Sequence, residues 1–377
     1  MKYLFSKIKK IFTKKEILRK PKARLHRVDA FLVLIILTLA GIGILMVYNA
    51  SVAIAIRDFS DQYYFVREQI KWLGIGIVSL IVFSSIDYHR WYKLSLPLLI
   101  GALVLLLAVF IPGLGVRALG AHRWLNFGFF VVQPAEITKL ILIMYLSAWF
   151  SLKEKGRLGA FLLLLGMVVG LIIAQPNLGT AVIIICIAIL LYFLSGAPVW
   201  QFIVLIPLFI IGAGGLAVAA PYRFKRLTTF FDPESDPLGA SYQIRQILLA
   251  FGSGGWFGVG IGKSRQKYEY LPEANTDSIF AIIGEELGFI GAAIIIGLFL
   301  LLVWRGFRIA KHAPDSFGRL LALGISSWVA IQTIINLSAM VALIPLTGVP
   351  LPLVSYGGSS LIILLSGLGI LLNISRH

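Results

Sequence analysis

Ten apolar runs limit what this chain can fold into. They lie near 30–50, 70–86, 95–111, 134–151, 159–174, 178–195, 200–220, 278–303, 318–343 and 357–374. Crossing about 30 Å of hydrocarbon takes roughly 20 helical residues, close to the length of most of these runs. No water-soluble surface could be built from such a chain, since 59% of its residues are hydrophobic and only 14% are charged. Inside hydrocarbon each backbone N–H and C=O must be paired within the structure, which predicts helices rather than open strands. The expected fold class is an all-α polytopic membrane protein with ten transmembrane helices. Its parts are a basic segment, 1–29, and a ten-span domain, 30–377. Cys186 is the single cysteine, which excludes a disulfide framework and a thiolate metal cluster.

Charge placement supplies an orientation. The chain carries 34 Lys and Arg against 17 Asp and Glu. Such an excess could suggest nucleic acid, but its distribution argues otherwise. With the N-terminus inside, 21 of the basic residues fall in cytoplasmic segments and 12 outside, with Lys139 inside a span. That bias predicts two cytoplasmic termini and a basic face on the anionic inner leaflet, with no nucleic acid partner. The outer loops are then 51–69, 112–133, 221–276 and 344–356. Segment 1–29 holds eleven Lys or Arg, with Leu4, Ile8, Ile11 and Leu18 near one helical face. A membrane-surface helix and an unstructured basic tail both fit it.

Loop 221–276, between the seventh and eighth runs, is far longer than an ordinary connection. Tyr242 to Phe251 read as an amphipathic re-entrant or interfacial helix. A Gly-rich run follows and closes on Gly262-Lys263-Ser264. This is not a nucleotide phosphate loop, because Phe257 stands where the first glycine should and no strand precedes it. Its amides, with Lys263, Arg265 and Lys267 nearby, could hold a pyrophosphate. A flexible loop with solvated charges is the alternative.

Ionisable groups in apolar runs are costly and so point to function. Asp277 follows Pro272 at the mouth of the eighth run, with Glu285 and Glu286 two turns deeper. Asp277 could equally be a helix N-cap. In the fourth run Glu136 and Lys139 are three apart and can pair on one helical face. Such a pair neutralises itself and can fix the helix beside a cavity. Residues 347–360 contain Pro350, Pro352, Gly357 and Gly358 and cannot form an ordinary helix. Broken backbone at membrane depth belongs inside protein or along a cavity, predicting a polar wall that includes Ser355.

The motifs Arg123-Trp124, Gln133-Pro134-Ala135-Glu136, Gln175-Pro176-Asn177-Leu178-Gly179-Thr180, Tyr222-Arg223, Leu271-Pro272-Glu273, Thr276-Asp277, Gly284-Glu285-Glu286-Leu287-Gly288 and Pro352 to Ser360 occur in this order. Together they resemble the SEDS family (shape, elongation, division and sporulation) from about Asp29 onward. The wording is more similar to its division branch, FtsW, than to its elongation branch, RodA. The resemblance implies a ten-span glycosyltransferase that polymerises lipid II into β-1,4 glycan on the outer face of the bacterial cytoplasmic membrane. It implies Asp277 as the essential acid, Glu136 and Lys139 as a fixed pair, and a class B penicillin-binding protein of the FtsI type as partner, with other division-machinery membrane proteins. The implied reaction inverts the sugar, so one displacement with a single general base suffices. Cations must meet charge on the leaving pyrophosphate. Arg123, Arg223, Arg226, Lys263 and Lys267 are candidates, with a divalent ion (Mg or Mn) as a further one. Asn177 stands where the family often has Asp, Ile247 for Ser, Ser278 for Phe, and Ala339 for Gly. A lipid II flippase, an elongation polymerase and a scaffold for the penicillin-binding protein are the rival readings.

Overall fold

A computed structural model of the protein describes residues 28–118, 121–126, 128, 130–152, 156–218, 221–232 and 241–377. The helix considered for segment 1–29 lies almost wholly outside them. Among the described residues there are twelve helices: α1 (Ala30–Phe59), α2 (Tyr64–Ser85), α3 (His89–Ala108), α4 (Pro134–Phe150), α5 (Leu158–Ala174), α6 (Leu178–Leu194), α7 (Val199–Val218), α8 (Pro221–Phe231), α9 (Tyr242–Gly254), α10 (Ile279–His312), α11 (Ser316–Met340) and α12 (Gly358–Ile374). A helix occupies each of the ten apolar runs. The other two, α8 and α9, lie in the long loop, and α9 is the expected amphipathic helix. By length and composition α1, α3, α10 and α11 can each cross a membrane, while α5, α6 and α12 are shorter apolar helices.

The all-α expectation needs one correction. Between α3 and α4 the chain forms an antiparallel sheet, β1 (Gly115–Ala118), β2 (Ala121–Asn126) and β3 (Val131–Val132), in that order. The segment lies between apolar runs, and its glycines, Gly113, Gly115, Gly120 and Gly128, disfavour a helix. Pairing strand to strand satisfies its backbone instead. Leu125 turns inward and is buried.

Helix starts follow ordinary capping chemistry. Asp29 accepts the amide of Leu32 at 3.1 Å, and Asp315 that of Gly318 at 2.8 Å. Asn177 caps α6 through the Thr180 amide at 3.3 Å. A cap needs an acceptor oxygen, which Asn supplies as well as Asp, so the departure at this position leaves the local structure intact. Around the bundle, Leu163 (78% exposed), Ile211 (72%) and Leu300 (66%) stand outward. Such a girdle is stable only against lipid. Close helix contact then depends on small residues. A Cβ on Gly369 would lie 2.5 Å from the Leu80 carbonyl oxygen, and one on Gly76 would strike Leu365. There α2 and α12 meet, with Ser79 and Ser366 hydroxyls 2.7 Å apart.

One helix is not continuous. Gly288 in α10 has φ 66° and ψ −168°, a conformation that only glycine adopts readily. The eighth apolar run is thus a short buried helix, Ile279 to Leu287, followed after a break by a longer one.

Candidate active site

The break in α10 frees backbone groups, and the Gly-rich loop takes them up. The Glu285 carbonyl accepts from Val259 N at 2.9 Å and the Glu286 carbonyl from Gly260 N at 3.1 Å. Phe289 N and Ile290 N donate to the carbonyls of Gly255 and Trp256 at 2.9 and 3.2 Å. The approach is possible only without side chains. A Cβ on Gly258 would lie 2.1 Å from the Glu286 carbonyl oxygen, and one on Gly254 2.1 Å from that of Gly284. The amides of Val259 and Gly260 therefore bind the helix, not the pyrophosphate expected from the sequence.

The two glutamates complete this fastening. Glu285 accepts from the Ser264 hydroxyl and from the Arg265 and Gln266 amides, the latter two at 3.0 and 3.4 Å. Glu286 accepts from Asn49 of α1 at 3.1 Å, Lys267 at 3.3 Å and the Ser264 amide at 3.4 Å. Both carboxylates are buried, as is Lys267, whose ammonium also donates to the Gly262 carbonyl at 2.5 Å. The two deep glutamates are thus closed onto the loop. Lys267, expected as a phosphate ligand, is an internal counter-ion instead. Lys263 remains exposed on the same loop.

Asp277 lies just before this short helix. The N-cap position falls on Ser278, and no side chain caps there; the Ser278 hydroxyl accepts from Gln243 of α9 at 3.0 Å. The capping alternative for Asp277 is therefore not the arrangement found. Its carboxylate stands 3.3 Å from the Thr276 hydroxyl and is half-buried. A Cβ on Gly348 would be 3.9 Å from Asp277 Oδ2, so the turn before Pro350 faces the acid.

Three elements hold the backbone around it. Asn336 of α11 donates to the Asp277 carbonyl at 2.8 Å. Ser355 donates to the Thr276 carbonyl at 2.5 Å and accepts the Leu351 amide at 2.8 Å. Tyr356 N donates to the Asn275 carbonyl at 2.9 Å, and Gln69 of α2 donates to the Ser355 carbonyl at 3.3 Å. Ser355 is buried and its hydroxyl is used in both directions, so it pins the loop rather than lining a polar wall open to substrate.

Glu136 and Lys139 form the expected pair, 2.9 Å apart and buried. The pair is not isolated. Lys139 also donates to Gln332 of α11 at 3.0 Å and lies 5.0 Å from the centre of the Trp328 ring. Arg123, on β2, donates to the carbonyls of Gln175 and Pro176 and so ties the sheet to the turn between α5 and α6. Arg223 and Arg226 belong to α8; their side chains lie outside the described set. Sequence reasoning missed Asn49, Gln69, Gln332 and Asn336. Each is an amide side chain in or beside an apolar helix, and that cost was the available signal.

Comparison with known proteins agrees with this architecture. The family of cell cycle proteins that groups FtsW, RodA and SpoVE matches residues 30–377. Stage V sporulation protein E of Bacillus subtilis is 44% identical over 356 residues, covering 93% of this chain and 97% of the relative. A probable peptidoglycan glycosyltransferase FtsW of Trichlorobacter lovleyi is 43% identical over 374 residues, covering 96% of each. A chain of a peptidoglycan synthase complex, solved for the structural coordination of polymerization and crosslinking, superposes with a TM-score of 0.77 at 29% identity, over 93% of this chain and 98% of that one. The rod shape determining protein RodA of Thermus thermophilus does so with a TM-score of 0.69 at 28% identity, over 93% and 97%. The match extends over the whole helical part, so this chain belongs to the FtsW/RodA/SpoVE family of cell cycle proteins.

Proposed function

We propose that this chain is a peptidoglycan glycosyltransferase that polymerises lipid II on the outer face of the bacterial cytoplasmic membrane, in septal wall synthesis during division. The observation that carries the reading is Asp277: a half-buried carboxylate whose backbone is held from α11 and the 351–356 segment and whose side chain faces the Gly348 turn. The names of the relatives point the same way. In this reading the ten helices in the apolar runs are ten spans, both termini are cytoplasmic, and 221–276 is extracytoplasmic. The Lys and Arg distribution supports that orientation. The unit 30–377 then carries the activity, with 1–29 as a cytoplasmic basic segment.

The chemistry is one displacement. The acceptor sugar's 4-hydroxyl oxygen attacks the anomeric carbon of the donor. The bond from that carbon to the pyrophosphate oxygen breaks, and its electron pair leaves with the pyrophosphate. Asp277 takes the hydroxyl proton as general base. Lys263, Arg223 and Arg226 are assigned to the charge on the leaving group. Arg123 and Lys267 are already engaged by carbonyls and by Glu286. Among the described residues no group of three or more His, Cys, Asp or Glu could hold a metal. A divalent ion (Mg or Mn) would be held by Asp277 and the pyrophosphate oxygens rather than by a protein cage, and no step is assigned to it. The partner is a class B penicillin-binding protein, alongside other membrane proteins of the division machinery.

The test is reconstitution of the full chain with lipid II, with and without that partner and a divalent cation. Wild type should make glycan strands. Asp277→Asn should make none while still accumulating in the membrane and binding the partner. Strand synthesis by that variant would remove the base from the scheme. Lipid II flipping in liposomes without polymerisation would favour a transporter.

A further inference from the structure

Two buried amides on α11 hold backbone carbonyls at the acid and at the turn that faces it. Gln332 and Asn336 are one helical turn apart and so share a face; both are almost fully buried. The Asn336 NH2 group bridges two carbonyls, Asp277 O and Val349 O, each at 2.8 Å. The Gln332 NH2 group donates to Pro350 O at 2.9 Å. The Gln332 oxygen accepts from Trp328 Nε1 at 2.8 Å and Lys139 Nζ at 3.0 Å. These partners fix which way each amide faces, since only an NH2 can meet a carbonyl and only an oxygen can meet an ammonium.

The three carbonyls so held lie outside regular helix. Val349 and Pro350 sit in a proline-interrupted segment, and Asp277 precedes the cap of α10. Buried carbonyls without partners are costly. The two amides satisfy them and, in doing so, fix the distance between the Asp277 backbone and the turn that faces its carboxylate. The chain continues through Lys139 to Glu136, which lies 2.9 Å from it. A self-contained Glu–Lys pair would end there, but here its ammonium is shared with the amide.

Building on the glycosyltransferase reading, we infer that Gln332 and Asn336 are positioning residues for Asp277, and that Glu136 and Lys139 act on the site through them. A displacement of about 1 Å in a catalytic group can cost roughly a hundredfold in rate. Substrate held elsewhere in the site would still bind.

The experiment measures lipid II polymerisation by the full chain with its penicillin-binding protein partner. Wild type must be active and Asp277→Asn inactive; an inert wild type would overturn the glycosyltransferase reading and this inference with it. Asn336→Leu should lower kcat by about a hundredfold and leave KM within about threefold, the signature of lost transition-state geometry rather than lost binding. Glu136→Gln should also lower kcat. In the double variant the losses should not multiply, because both act along one chain. An unchanged kcat in Asn336→Leu, a loss confined to KM, or multiplied losses would overturn the inference and leave Asp277 as the base. Asn336→Ser, which is smaller and admits water, carries the same expectation should the leucine variant not accumulate. Absence of both variants from the membrane would also count against it, since a positioning role requires a folded, slow enzyme.

Discussion

Gly288 offers the sharpest test of how the long loop is held. At φ 66° and ψ −168° an alanine is strained, by about 1–3 kcal/mol. Its Cβ would also lie 2.3 Å from Gly258 N and 2.7 Å from both Phe257 N and Phe257 C. These are backbone atoms, so the loop must withdraw. Withdrawal breaks the hydrogen bonds joining Val259, Gly260, Gly255 and Trp256 to α10, each worth about 0.5–1.5 kcal/mol net. Summing the strain with all four of those bonds gives a loss of at least about 3 kcal/mol for Gly288→Ala. On the scale for sizeable soluble domains, about 2 °C per kcal/mol, that is a fall of roughly 6 °C or more. Straightening the helix would recover at most about 1 kcal/mol of propensity and would carry Glu285 and Glu286 away from Ser264 and Lys267. Thermal unfolding of the purified chain in detergent reads the first effect, and limited proteolysis across 255–267 the second. Gly297→Ala is the control, because its Cβ meets nothing within 4 Å and it should be neutral or slightly stabilising. An alanine at 288 with an unchanged midpoint and an equally protected loop would refute the account of the break.

Three further expectations concern ionised groups. Lys267→Met strands Glu286 as a buried charge and should cost about 3–5 kcal/mol, read as a lower midpoint. Adding Glu286→Gln should restore part of that loss. Lys139→Met should destabilise through Glu136 by a similar amount, about 3–5 kcal/mol, and Glu136→Gln in the same chain should soften it. Burial alone would raise the Asp315 carboxyl, but bonds from His89, Tyr88 and the Gly318 amide outweigh it and hold the group below its ordinary value. A depressed carboxylate stabilises the fold above its unfolded pKa, and that contribution is lost as pH falls through the folded one. Stability should thus drop on acidification below about pH 4, and Asp315→Asn should flatten that part of the curve in a pH series of melting midpoints.

Periodicity and hydropathy were enough to locate every apolar helix, because lipid leaves the backbone no alternative to internal pairing. The amphipathic helix α9 was legible for the same reason. The break at Gly288 was not, since Gly284-Glu285-Glu286-Leu287-Gly288 continues a helical pattern without a proline. Only the arrival of residues 255–260 from elsewhere in the chain makes a break stable. Lys267 and Ser355 were legible as chemically capable groups, but not their partners, Glu286 and the Thr276 carbonyl, which depend on how distant segments meet. Local chemistry singled out Asp277 and the Glu136–Lys139 pair as costly groups, while the role given to Asp277 came from the family resemblance. The amides that join them, Gln332 and Asn336, carry no charge and read as tolerable polar residues in an apolar helix. The strands of 115–132 were too short and irregular to stand out from a loop.

The way residues 255–267 are fastened changes what sort of segment they are. Their polar groups are exchanged with α10 rather than with water, and three glycines in the contact leave no room for a side chain. This stretch is therefore fixed through its backbone as part of the α10 fold, although most of its side chains stand exposed. An epitope or linker inserted there would pull apart the backbone bonds to α10, so a reporter belongs on some other connection.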